Sequence, residues 1–74
     1  MSDFSLYANI KHLGPAEFTV IVFAVLELPA WKVEVVMEDA TSRQQAEEML
    51  KIMLVKLGET VTARGDTVVD VVAA

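Results

Sequence analysis

The chain has no cysteine among its 74 residues, so disulfides and thiolate metal sites are excluded. Basic residues are also scarce: six Lys and Arg stand against eleven Asp and Glu, for a net charge of −5. Nucleic-acid binding draws most of its affinity from Lys and Arg on phosphates. Lys11, Lys32, Arg43, Lys51, Lys56 and Arg64 are scattered along the chain. DNA, RNA and anionic membrane surfaces are therefore disfavoured partners. Glycine occurs only at positions 14, 58 and 65, each isolated, so no phosphate-cradling loop or dinucleotide fingerprint is present. No apolar run reaches the ~20 residues of a membrane helix. The segment Met1–His12 has no basic stretch followed by an apolar core. No signal peptide is expected, and the default setting is the cytoplasm.

Apolar residues, by contrast, are abundant, at 54% of the chain with a mean hydropathy of +0.45. A domain this small buries only ~60% of its unfolded surface and is marginal when alone. An apolar excess in such a chain points to a surface shared with a partner. The longest apolar run is Phe18–Leu28, rich in Val, Ile and Phe, which reads as a strand. Both of its faces are apolar, so both need cover.

Three further segments organise around that strand, and the whole chain, residues 1–74, reads as one domain. Phe4–His12 alternates apolar and polar residues, the pattern of a half-buried strand. Leu13-Gly14-Pro15-Ala16 is a turn signal. Leu28-Pro29-Ala30-Trp31 is a second turn, and Trp31–Glu38 alternates again. A helix follows, capped by Thr41 or Ser42 with Gln44 or Gln45 as the return half of a capping box. Its apolar stripe runs through Ala46, Met49, Leu50, Met53, Leu54 and Leu57, and Gly58 is its expected αL cap. The β-branched tail, Glu59–Val72, is interrupted at Arg64-Gly65-Asp66, which reads as a hairpin turn. The expected fold is α+β: an antiparallel sheet of four to five strands, order β-β-β-α-β(-β), with one helix packed on one face.

Register arithmetic assigns the faces. A three-residue loop centred on Pro15 sets Ile10 opposite Val20, Ala8 opposite Val22 and Leu6 opposite Ala24. An even loop would turn Lys11, Asn9 and Tyr7 to the core, so the pattern selects the odd one. A two-residue loop at Pro29-Ala30 sets Leu26 opposite Val33, Ala24 opposite Val35 and Val22 opposite Met37. The core face then comprises Phe4, Leu6, Ala8, Ile10, Val20, Val22, Ala24 and Leu26, with Trp31, Val33, Val35 and Met37. The outer face carries an apolar patch of Tyr7, Ile21, Phe23, Val25 and Val36, rimmed by Lys11, Asn9, Lys32, Glu34 and Glu38. Such a patch marks an interaction surface.

The chemistry-bearing residues are sparse. His12 is the only histidine, and a catalytic or metal-binding histidine needs partners. Glu17 alone lies near it by spacing. Glu34, Glu38 and Asp39 sit together at a strand end, but on a face that alternation marks as wet. No catalytic residue, metal ligand or cofactor is proposed, and the chain is not read as an enzyme. The expected function is a structural, adaptor or regulatory protein that self-associates as a homodimer, with an unidentified protein partner as the other occupant. A ligand-binding module or small enzyme is the alternative, using a cleft formed by His12, Glu17, Asp39, Thr41 and Ser42. Nucleic-acid binding is the third reading.

Overall fold

The computed structural model describes residues 2–28 and 31–73. Three strands come first: β1 (Asp3–Gly14), β2 (Glu17–Leu26) and β3 (Lys32–Ala40). They are followed by the helix α1 (Arg43–Ala63) and the strand β4 (Thr67–Ala73). The four strands form one sheet in the order β3-β2-β1-β4, and α1 packs on one face. No helix among the described residues is long and apolar enough to cross a membrane.

The sheet is mixed, not antiparallel throughout as expected, because β4 pairs with β1 in parallel. The cause is the length of α1. Its 21 residues carry the chain about 30 Å back along the sheet. A strand that follows such a return runs the same way as β3, and hence the same way as β1. The expected tail hairpin is absent for the same reason: residues 59–63 belong to the helix. Val61, four residues past Leu57, continues the buried stripe Ala46, Leu50, Met53 and Leu57. Thr60 and Thr62 donate their hydroxyls to the carbonyls of Lys56 and Gly58 at 2.9 and 3.0 Å. In that arrangement the helix tolerates them.

Gly65, not Gly58, therefore closes the helix. It has φ +90°, and the N–H groups of Gly65 and Asp66 donate to the carbonyls of Thr62 and Val61. That is a Schellman cap, with glycine in the left-handed position. At the other end Ser42 Oγ accepts from Gln45 N at 3.1 Å. Gln45 Oε1 accepts in return from the backbone N and hydroxyl of Thr41.

The first hairpin has the register read from the sequence: Ile10 opposite Val20, Ala8 opposite Val22, Leu6 opposite Ala24. A shift between His12 and Gly14 leads into the turn at Pro15-Ala16. The second hairpin differs by one residue. Leu26 pairs with Lys32, Ala24 with Glu34, Val22 with Val36 and Val20 with Glu38. The connection runs from Glu27 to Trp31; the two-residue loop expected within it, Pro29-Ala30, lies outside the described residues. This slip turns every β3 side chain over. Lys32, Glu34, Val36 and Glu38 lie on the helix side, and Val33, Val35 and Met37 on the outer side.

The core sits between α1 and the two central strands. Phe4, Leu6, Ala8, Phe18, Val20, Val22, Ala24 and Leu26 meet Ala46, Leu50, Met53, Leu57 and Val61. A helix is about 10 Å wide, and four strands at about 4.8 Å spacing are wider than that. Both edge strands are left half open on the helix side, where Val36 on β3 and Val71 on β4 remain exposed.

Candidate interaction surface

The outer face is laid down in rows across the strands. In the middle row Val72, Tyr7, Phe23 and Val35 stand side by side. The rings of Tyr7 and Phe23 stack at 5.1 Å between centroids, 14° from parallel. The next row is Asp70, Ser5, Val25 and Val33, with Val69 of β4 close to Ser5 and Val25. On the other side lie Asn9, Ile21 and Met37, and beyond them the polar row Lys11, Thr19 and Asp39. Thr19 donates its hydroxyl to Asp39 Oδ1 at 3.2 Å and closes that end.

Four of the five residues expected to form the patch are therefore on it: Tyr7, Ile21, Phe23 and Val25. Val36 is not. The one-residue slip in the second hairpin turns it to the helix side, and Val33, Val35 and Met37 replace it. These three are 53%, 53% and 59% exposed. The patch thus has nine apolar side chains, and the one charged residue in its three middle rows is Asp70, at the β4 edge beside Ser5. Among the described residues no element lies over it, since α1 occupies the opposite face.

Comparison of the chain with family models, with curated proteins and with solved structures finds no match. The reading of this surface rests on its own geometry.

The helix side of β3 has a different character. Arg64, just past the end of α1, reaches Glu34 through both terminal guanidinium nitrogens, Nη1 to Oε1 at 2.8 Å and Nη2 to Oε2. Its Nε donates to Asp66 Oδ2 at 2.8 Å, and its guanidinium lies 5.1 Å from the Phe4 ring centroid. The hydrogen bonds from Arg64 Nη1 and Nη2 hold the Glu34 carboxyl below its ordinary pKa, and the separate bond from Arg64 Nε lowers that of Asp66. This cluster pins the edge strand, the helix end and β4 together. Beside it, β3 and α1 border an open groove of about 410 Å³, lined by Glu34, Val36, Glu38, Met49, Ile52 and Lys56 among others.

Of the residues proposed for the alternative cleft, Glu17, Asp39 and Thr41 line one open pocket of about 270 Å³ with Phe18 and Thr19, whereas His12 and Ser42 do not line it. His12 stacks on Phe18 at 4.4 Å on the helix side of the sheet, while Asp39 is on the outer side with Thr19. Thr41 and Ser42 serve the helix cap. Glu17 is exposed at the start of β2. No group of three His, Cys, Asp or Glu side chains among the described residues could hold a metal ion.

Proposed function

We propose that this chain is a small protein–protein interaction module, structural, adaptor or regulatory in role, that self-associates through the outer face of its sheet. The observation that carries this is the uncovered apolar face itself, nine apolar side chains in three rows with a single charged residue, Asp70, at its β4 edge. A second copy is the occupant that fits best. The protein is acidic at −5, so two copies repel through most of their surface. The outer face is where they meet with the fewest like charges, Asp70 alone lying at its margin. Two such faces pack as in a β-sandwich, about 10 Å apart, with the Tyr7–Phe23 stacks near the two-fold axis. Catalysis is not part of this reading, and the cytoplasmic setting rests on composition alone.

Nucleic acid is a weaker candidate because two of the six cations are already engaged. Arg43 lies over Phe18 at 5.3 Å, and Arg64 is held by Glu34, Asp66 and Phe4.

The test is molar mass by light scattering over a wide concentration range, for wild type and Phe23→Glu. Placing an unpartnered carboxylate in a dry interface costs several kcal/mol. The wild type is expected to self-associate, and Phe23→Glu to weaken that association at least a hundredfold while staying folded. A wild type that remains monomeric at millimolar concentration, or an unchanged mass for Phe23→Glu, rejects the reading.

A further inference from the structure

The two edges of the sheet are protected differently. A free edge strand offers unpaired backbone groups to any other strand, and proteins blunt such edges with bulges, prolines, very short strands or charged side chains. The β4 edge is seven residues long, and its pairing with β1 shifts between Phe4 and Ser5. The β3 edge has charge alone, in Lys32, Glu34, Glu38 and Asp39. It pairs with β2 through nine consecutive residues, Lys32 to Ala40, with no shift and no proline. It is also uncovered by α1 on the helix side, where the groove beside Val36 opens.

Charge tells which strand fits there. In a two-fold pairing that keeps both helices on one side of the sheet, residue i faces residue j of the second copy with a constant, even sum. Pairing about Val36 sets Glu34 against Glu38 twice, and pairing about Glu34 sets Glu34 against itself. Pairing about Val35 sets Lys32 against Glu38 twice, Val33 against Met37 twice, and Val35 against Val35. Opposite charges directly across strands stabilise, and like charges destabilise. Glu34 then faces Val36 and keeps its contact with Arg64.

We infer that β3 is a seam between two copies of this chain, the strands antiparallel about Val35, so that two four-stranded sheets become one of eight. This seam is separate from the outer-face contact and does not depend on it. Its two-fold axis is perpendicular to the sheet, whereas a face-to-face axis lies between the sheets. With both contacts in place the assembly has four copies, two eight-stranded sheets packed face to face.

The test uses the absence of native cysteine. Directly opposed residues in antiparallel strands have Cα atoms about 4.5–5.5 Å apart, within the roughly 4.4–6.8 Å that a disulfide spans. Val35→Cys and Met37→Cys are each made in the Phe23→Glu background, so that the outer face cannot bring thiols together. Under mild oxidation Val35→Cys should cross-link at least tenfold faster, because two Met37 positions are then four residues out of register, about 13 Å apart. In the same background Glu38→Lys should weaken the pairing at least tenfold, and adding Lys32→Glu should restore it. Equal cross-linking rates, or a Phe23→Glu protein that is monomeric throughout, overturn the seam. If only the outer-face reading fails, wild type and Phe23→Glu both weigh two copies and Val35→Cys still cross-links.

Discussion

The two faces of the sheet carry similar side chains and do different work. On the inner face Phe4, Val20 and Val22 are at or below 1% exposure beneath α1. On the outer face Phe23, Val25 and Val35 stand in neighbouring rows with nothing over them. What separates the faces is the footprint of one helix. Apolar character made both faces eligible for burial, and only one helix is available to cover them. The inner face therefore holds the monomer together, while the outer face is left uncovered.

The largest expected effect tests that division directly. Phe4→Ala removes a ring that is 1% exposed. Such core truncations cost roughly 3–5 kcal/mol, a large part of the ~5–15 kcal/mol that holds a small domain folded. Phe23→Ala on the other face loses the stack on Tyr7, worth about 0.5–1.5 kcal/mol. Urea unfolding, at concentrations where light scattering shows monomer, compares the two without the mass-action contribution of association. Equal losses would mean that the outer face supports the monomer as much as the inner one does, and the division would fail.

A smaller change sharpens the comparison from the inside. Gly58 lies within α1, and a Cβ there would stand 3.6 Å from Leu6 Cδ1, an ordinary contact. Gly58→Ala should therefore fit and raise stability by about 0.5–1 kcal/mol through a less flexible unfolded chain. Thermal unfolding reads this out as a higher midpoint. A lower midpoint would show that the helix and β1 meet too closely at Leu6 to admit a methyl group.

The two hairpins show why one part of this fold was legible in the sequence and another was not. In β1 the polar side of the alternation holds Asn9 and Lys11, so only one register keeps them out of the core. In β3 the alternation is just as clean, but its partner β2 is apolar on both faces and accepts either register. The helix then fails to reach β3 squarely, so burial does not decide between them. As a result the sequence pattern places Tyr7, Ile21, Phe23 and Val25 on the outer face correctly but puts Val36 there in place of Val33, Val35 and Met37. The helix end was misplaced for a related reason. Gly58 looked like a cap and Thr60-Val61-Thr62 like a strand, yet Val61 falls on the stripe, and tertiary packing overrode propensity. The parallel pairing of β4 followed from that longer helix and was hidden along with it.

The smallest expected effect contrasts the two sides of β3 alone. Its outer side depends on apolar contact, and its helix side on the Arg64–Glu34 and Arg64–Asp66 pairs. Both carboxyls have folded pKa values below their ordinary ones. Their contribution is therefore full above the unfolded values, roughly pH 4, and is lost as pH falls through the folded values, where protonation breaks the pairs. These pairs are solvent-accessible and screened by salt, so the loss is smaller than any of those above. Glu34→Gln should lower the thermal midpoint slightly at pH 7 and flatten its decline between pH 5 and pH 3. In high salt the two proteins should converge. The outer-face association should move the other way, because salt strengthens apolar contact between copies that share a net charge. An identical pH profile for wild type and Glu34→Gln would mean that the helix side of β3 is held by packing alone, and the contrast between its two sides would disappear.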